Sequence, residues 1–434
     1  MSHDRLLDQM NMIDVSHLEA VFGDEIRLDP PDPSVRLAPV QRVAIITEAF
    51  LPKVDGVTKT AYLTLRYLQQ TGREVLIFAP DISPHEIDGT RIVPLRSIQF
   101  PGVPETRMAF PNPVIARELH EFQPDLIHMF SPALMSVSGM ANGRHMNVPI
   151  VANYQTDLPG YTRLYGIGFM ENITRNWLRY VHNGCHLTLV PSEHSAAELS
   201  AHGFKRLRPW GRGVNGKRFN PAHRSDEWRA KLLNGRDPNS LLCIYVGRVA
   251  MEKRIDLLLE AAHTDGIALT IIGDGAERDN LEKLFAGTGT HFTGYLFGDD
   301  LPAAFASADV FLFTSPSETF GQVVQEAMAS GLPTIITDKG GAPNLINHGA
   351  SGLIVPDTPE AFKEAVIQLR DDPATRLCMA KTARHIAEQR PWEKILAQLE
   401  DYYTEAVQLN DRFVRVFGKT HYHNPTQIPA ALIG

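Results

Sequence analysis

Two glutamates, Glu318 and Glu326, stand eight residues apart in the segment SPSETFGQVVQEAMASG (315–331). The segment follows the apolar run ADVFLFT (308–314), which reads as a strand. Glu318 then falls on the loop, and Glu326 lies one to two turns into the next helix. A carboxylate can accept hydrogen bonds from two neighbouring hydroxyls, the pattern that a sugar or a ribose presents. Gly321 near the helix start admits close approach to the backbone, and the helix dipole there favours an anion. Two solvated acids would also suit that end of a helix, so the pair alone does not define a site.

Two further strand-end segments carry chemistry. VGRVAMEKRIDLLLEA (246–261) supplies Arg248 and Lys253, whose cationic groups can neutralise a diphosphate and stabilise its departure. GDGAERDNL (273–281) offers Gly273 and Gly275 for close backbone approach, without the full GxGxxG fingerprint of a dinucleotide site.

The elements that must position these groups follow a regular grammar. From Arg42, short apolar runs alternate with amphipathic stretches of about ten to fifteen residues, the pattern of a parallel α/β sheet. RVAIIT (42–47), EVLIFAP (74–80), RIVPL (91–95), DLIHMF (125–130), VPIVANY (148–154) and HLTLVPS (186–192) form a first set of predicted strands. After a basic stretch near 206–240 comes a second set: LLCIYVG (241–247), IALTIIG (267–273), HFTGY (291–295), ADVFLFT, PTIIT (333–337) and GLIVP (352–356). Two successive doubly wound domains are the economical topology, with ligands beyond the carboxyl ends of the strands. The boundaries read as an acidic extension over 1–38 lying outside the fold and a first domain over 39–220. A second domain follows over 221–390, then a helix and irregular tail over 391–434, the helix being able to return to the first domain.

At about 150 residues per domain, 434 residues suit this division. With 43% hydrophobic and 21% charged residues, each part can bury an ordinary core. The formal charge of −8 argues against a general nucleic-acid binder. It divides into −5 over 1–38, +5 over 39–220 and −8 over 221–434. Much of the positive excess is the run Lys205, Arg206, Arg208, Arg212, Lys217 and Arg218. Cys185, Cys243 and Cys378 lack metal-ligand or redox spacing and read as reduced thiols of a cytosolic protein. The apolar runs are too short to span a bilayer, and no metal cluster is visible.

Taken in order, the three strand-end segments resemble the retaining glycosyltransferases of family 4, from about Arg42 to Gln408. The resemblance implies an α/β GT-B fold: two facing Rossmann-like doubly wound domains with a central cleft. It implies that Glu326 binds the donor's ribose, that Glu318 contacts the transferred sugar, and that Arg248 and Lys253 hold the diphosphate. Backbone amides around Phe320, Gly321 and Gln322 would bind sugar and phosphate, with Gly275 and Gly56 as close-approach residues; Gly56 lies in EAFLPKVDGV (48–57). On the acceptor side it points to His128, and to Gln155 and Asp157 in NYQTDLPGY. Many relatives carry a titratable histidine where Gln155 stands. A lone histidine on an apolar strand such as His128 is also a common core residue.

Within the family, YQTD and ETFGQ resemble GDP-mannose-dependent α-mannosyltransferases acting on glycolipids. WGRGVNGKRFNP (210–221) and FTGYLFGDDL (292–301) also resemble UDP-sugar-dependent sulfoquinovosyl diacylglycerol synthases. The expected reaction is transfer of a hexose from a nucleotide diphosphate-sugar, GDP-mannose favoured, to a lipid-linked or glycan hydroxyl, with no metal or other cofactor. A two-lobed binding protein without chemistry is the alternative of another class, an epimerase the nearer enzymatic one. The basic first domain and the amphipathic stretch FMENITRNWLRYVH (169–182), with Arg175, Trp177 and Arg179, suggest peripheral contact with an anionic membrane at the cytoplasmic face.

Overall fold

The computed structural model describes residues 26–51, 56–100, 103–164 and 168–418. The chain divides into two compact units, the first holding Ile26–Gly211 and the chain from Glu393 on, the second Arg212–Trp392.

The first unit is built on an eight-stranded sheet in the order β10-β9-β8-β7-β1-β2-β4-β3. Its strands are β1 (Arg42–Thr47), β2 (Glu74–Pro80), β3 (Glu86–Ile87), β4 (Thr90–Leu95), β7 (Leu126–Phe130), β8 (Ile150–Asn153), β9 (Leu187–Val190) and β10 (Leu207–Pro209). All pairs are parallel except β3 with β4, and a separate antiparallel hairpin joins β5 (Ser97–Phe100) to β6 (Val103–Ala109). The central strands are buried on both faces, which is why they read as unbroken apolar runs.

The second unit has six parallel strands in the order β13-β12-β11-β14-β15-β16. They are β11 (Leu241–Val246), β12 (Ile267–Ile272), β13 (His291–Gly294), β14 (Val310–Phe313), β15 (Thr334–Thr337) and β16 (Gly352–Val355). Two apolar clusters sandwich this sheet. Ile244, Phe311 and Ile336 face one, and Cys243, Leu312 and Ile335 face the other. Both sheets reverse their strand order at one place, between β1 and β7 in the first and between β11 and β14 in the second. In sheets of this kind, ligands bind beyond the carboxyl ends of the strands at such a point.

Each of the twelve predicted strands is present. Three boundaries differ from expectation. Residues 26–38 belong to the first unit rather than lying outside the fold: Ile26 and Ala38 are buried, and the Ala38 N–H donates to Glu400 Oε2 at 2.8 Å. Residues 1–25 lie outside the described residues. The division between units comes at 211/212 rather than after 220, because Phe219 is buried in the second unit's core. The terminal helix runs Trp392–Phe417, longer than expected, so residues 410–417 are helix and not tail. It is bolted to the first unit by a buried ion pair in which Arg73 Nη2 lies 2.6 Å from Glu400 Oε2.

His128 is a core residue and not part of an acceptor surface. It is fully buried on β7, with Nδ1 2.8 Å from the Tyr403 hydroxyl of the terminal helix and Nε2 3.1 Å from Asn153 Oδ1. Burial lowers its pKa to about 4, and lowers those of His182 and His186 to about 3. All three fold as neutral imidazoles, whereas in the unfolded chain they take up a proton below about pH 6.5. Their contribution to stability is complete above that pH and is lost as the pH falls towards 4 and 3. Each group titrating only in the unfolded state removes up to about 1.4 kcal/mol per pH unit. Chemical denaturation at pH 7 and pH 5 should show a marked loss of stability, and the loss should shrink in His128→Gln. An unchanged pH slope in that variant would exclude His128 from the effect.

Candidate active site

In the second unit the loops after β11 and β14 leave the sheet at its reversal, side by side. The first brings Arg248 and Lys253, the second Glu318. The two loops are tied by their side chains: Lys253 Nζ donates to Glu318 Oε1, and the Thr314 hydroxyl donates to the Lys253 carbonyl at 2.6 Å. The Lys253 side chain is 12% exposed and that of Glu318 34%. Lys253 holds the Glu318 carboxyl below its ordinary range against the opposing effect of burial, with Arg212 and Arg248 adding to it. Glu318 is therefore an anion at neutral pH. Arg248 Nη2 donates to Glu252 Oε1, and the backbone beneath it is held where the buried Tyr245 hydroxyl donates to the Arg248 carbonyl at 3.3 Å.

The loop bearing Glu318 is braced from outside, since its carbonyl accepts from the Gly341 N–H at 2.7 Å. It ends at Gly321, whose φ of 90° lies in the left-handed region. The helix that follows, Gln322–Ala329, has no side-chain cap; the Val324 N–H donates to the Gly321 carbonyl at 3.0 Å, and the amides that precede it at such a helix start are donors that a ligand can take. Phe320 is buried beneath the turn, and Glu326 is 6% exposed on the helix. The expectation for Gln322 concerns its backbone amide; its side chain has a separate task, since Nε2 donates to the Gly213 carbonyl at 3.0 Å and clamps the backbone beside Arg212.

Gly273 and Gly275 have a nearer reason to be glycine than a ligand. At Gly273, φ is 137° and a Cβ would stand 1.9 Å from the Gly247 carbonyl oxygen; at Gly275 it would stand 2.3 Å from that of Val249. The turn after β12 packs against the very loop that carries Arg248, and the Val249 N–H donates to the Asp274 carbonyl at 2.9 Å.

In the first unit the loops after β1 and β7 are joined by Glu48, a residue that sequence reasoning did not single out. Its Oε1 accepts from the Ala133 N–H (3.0 Å), the Ser136 N–H (2.9 Å) and the Ser136 hydroxyl (3.0 Å). Burial raises its pKa, and those bonds oppose the rise. An acid directly after an apolar strand was the available signal. Gly56 begins the helix Gly56–Gln70; residues 52–55 of the loop before it lie outside the described residues. Gln155 is 8% exposed beyond β8. Asp157 Oδ1 accepts from the Gly160 N–H (3.1 Å) and the Tyr154 hydroxyl (3.3 Å), which makes it a cap for the helix Leu158–Leu164. Among the described residues no group of three or more His, Cys, Asp or Glu side chains could hold a metal ion.

Known proteins share both units. Residues 54–218 match the family model described as Glycosyltransferase Family 4, and residues 225–386 the one described as Glycosyl transferases group 1. A GDP-mannose-dependent alpha-mannosyltransferase of Mycobacterium tuberculosis is 38% identical over 375 residues, covering 85% of this chain and 97% of that protein. The sulfoquinovosyl transferase SQD2 of Arabidopsis thaliana is 34% identical over 420 residues, covering 94% of this chain and 80% of that protein. Among solved structures, a sucrose-phosphate synthase from Thermosynechococcus elongatus superposes with a TM-score of 0.68 at 20% identity, covering 84% and 98% of the two chains.

The packing of the two turns yields a stability comparison. Gly273→Ala must displace a backbone carbonyl, whereas Gly235→Ala, at φ 82° with nothing within 4 Å of its Cβ, faces backbone strain alone. Gly235→Ala should cost about 1–2 kcal/mol and Gly273→Ala at least about 3 kcal/mol, as measured by chemical denaturation. Equal losses would mean that the contact between the two turns is unimportant.

Proposed function

The chain belongs to glycosyltransferase family 4 and has its GT-B fold of two Rossmann-like units, and from that premise we propose that it moves mannose from GDP-mannose to a lipid-linked hydroxyl with retention at the anomeric carbon. The observation that carries the assignment of the chemistry is the cluster of Lys253, Arg248 and Glu318 at the sheet's reversal point. It offers cations for a leaving diphosphate next to a carboxylate for sugar hydroxyls. The choice of donor leans on the identity to mannosyltransferases along nearly their whole length.

In this mechanism the acceptor hydroxyl attacks the anomeric carbon from the face that the diphosphate is leaving. The bond from carbon to the diphosphate oxygen breaks as the new glycosidic bond forms, and the acceptor proton passes to that departing oxygen. Arg248 and Lys253 neutralise the charge that grows on the diphosphate, a stabilisation that increases towards the transition state. Lys253 and Glu318 are already fixed before the donor arrives, so little reorganisation is required. Glu318 orients the transferred sugar, Glu326 the ribose, and the uncapped helix start at Gly321 receives phosphate or sugar oxygens. Because two side-chain cations can supply the countercharge, turnover is expected to be independent of metal.

A panel of GDP- and UDP-sugars with a lipid-extract acceptor, read as nucleotide release and as labelled product, tests this reading. GDP-mannose should give product, equally well in excess EDTA, and Arg248→Ala combined with Lys253→Ala should lower kcat/KM at least a hundredfold, about the loss seen when a preorganised charge contact is removed. Product from a UDP-sugar alone would overturn the donor assignment, loss of turnover in EDTA the metal independence, and near-normal turnover in the double variant the leaving-group role.

The lipid acceptor requires the enzyme to reach a membrane surface, and among the described residues no helix is long and apolar enough to cross one. The basic run expected to supply the contact is largely committed elsewhere: Arg206 donates to the carbonyls of Asn183 and Cys185, Arg208 pairs with Glu405, and Arg218 is buried. The helix Glu171–Gly184 is the better candidate. Ile173 (57% exposed), Trp177 (39%) and Tyr180 (45%) lie along its outer face after Phe169 (77%), with Arg179 exposed beside them. Aromatic and aliphatic groups flanked by a base suit the interface of an anionic bilayer. In flotation assays the protein should rise with vesicles containing phosphatidylglycerol, and Ile173→Glu with Tyr180→Glu should abolish this without altering thermal stability. Absence of binding to such vesicles at low salt would reject docking.

A further inference from the structure

Arg212 begins the second unit, and three contacts immobilise the backbone around it. The next carbonyl, of Gly213, accepts from Gln322 Nε2 at 3.0 Å. The Val214 N–H donates to the Arg390 carbonyl at 2.9 Å. Gly213 lies so close to Trp392 that a Cβ would stand 2.4 Å from its Cα. From this fixed base the Arg212 guanidinium reaches over the Phe320 ring, with Cζ 6.0 Å from its centroid. That places a cation beside the turn that starts the uncapped helix Gln322–Ala329. The same cation acts on the Glu318 carboxylate.

Charge balance gives this placement a purpose. Glu252 pairs with Arg248 and Glu318 with Lys253, so each of the two previously assigned cations already faces a carboxylate. Those four groups sum to zero, which leaves no net countercharge for a diphosphate. Arg212 supplies the net positive charge, and its planar guanidinium can give two parallel N–H donors to phosphate oxygens, which an ammonium cannot.

We propose that Arg212 is a third cation of the donor site, holding the distal phosphate of a nucleoside diphosphate-sugar at the start of the helix Gln322–Ala329. This rests on the nucleotide-sugar reading given above. It assigns Gln322 a positioning role, since its side chain fixes the backbone from which Arg212 projects.

The test compares nucleotides that differ only by the distal phosphate. Calorimetric titration of the full-length protein, Arg212→Gln and Arg212→Lys with GMP, GDP, UMP and UDP is the measurement, with thermal unfolding to verify that each variant is folded. For the diphosphate that the wild type binds, Arg212→Gln should weaken affinity roughly tenfold to a hundredfold, as expected for loss of a charged hydrogen bond. Its affinity for the matching monophosphate should stay within about twofold, because the distal phosphate is the only group lost. Arg212→Lys should recover part of the diphosphate affinity, and kcat/KM for the donor should follow the same order. Equal loss for monophosphate and diphosphate, or no loss for either in a folded variant, overturns the proposal while leaving the nucleotide-sugar reading intact. A wild type that binds neither GDP nor UDP refutes that reading and the proposal together.

Discussion

The ion pair between Lys253 and Glu318 is the contact on which the proposed chemistry of the second unit depends. It crosses the one place in the sheet where neighbouring strands send their loops apart. Parallel strands leave such a crevice by topology alone, but topology does not hold its walls at a fixed separation. A lysine that is 12% exposed has lost most of its hydration, and the carboxylate opposite is what makes that burial tolerable. Each group thereby fixes the other. The same pair brings together a cation suited to phosphate and an anion suited to hydroxyls, so the contact that joins the loops also carries the charges that the proposed transfer needs.

The first unit meets the equivalent constraint with different chemistry. Its reversal lies at β1, and Glu48 ties the loops after β1 and β7 by accepting two backbone N–H donors and one hydroxyl. One carboxylate oxygen is thereby occupied by the fold's own amides and hydroxyl. In the second unit the bridging groups are side chains of opposite charge, with Glu318 a third exposed. Rigid loops occur in both units, but the bridge described at the first reversal is a carboxylate, whereas the one at the second includes a cation. This asymmetry supports the proposed placement of the donor in the second unit.

The sequence made the sheets legible because parallel strands buried on both faces must be continuous apolar runs, and no other element of that length is. β3, β10 and the β5–β6 hairpin escaped for the converse reason: they are short or sit at edges, with polar residues such as Glu86, Arg208 and Arg107 among them. Glu318, Lys253 and Arg248 were legible from their places after predicted strands. His128 has the same kind of placement and a different fate, because Tyr403, 275 residues on, fills the space beside it. Arg212 was hidden among other bases, and only the contacts of Gly213 distinguish it from them. What spacing cannot convey is which distant element packs against a residue, and that decides between core and site.

The same lesson applies to charge. A run of six bases between 205 and 218 suggests a basic surface when counted along the chain. In the fold Arg206 serves carbonyls, Arg208 a glutamate, Arg218 the Gly298 carbonyl, and Arg212 the ring and carboxylate of the ETFG loop. Conversely, the second unit, residues 212–392, carries a net −4 and still gathers three cations within one cluster. Net charge acts at the range of the Debye length, about 8–10 Å at physiological salt, whereas a phosphate is read at hydrogen-bond distance. An acidic domain can therefore select an anion, provided that its cations are fixed before the ligand arrives. The paired acids that make the domain negative are what hold those cations in place.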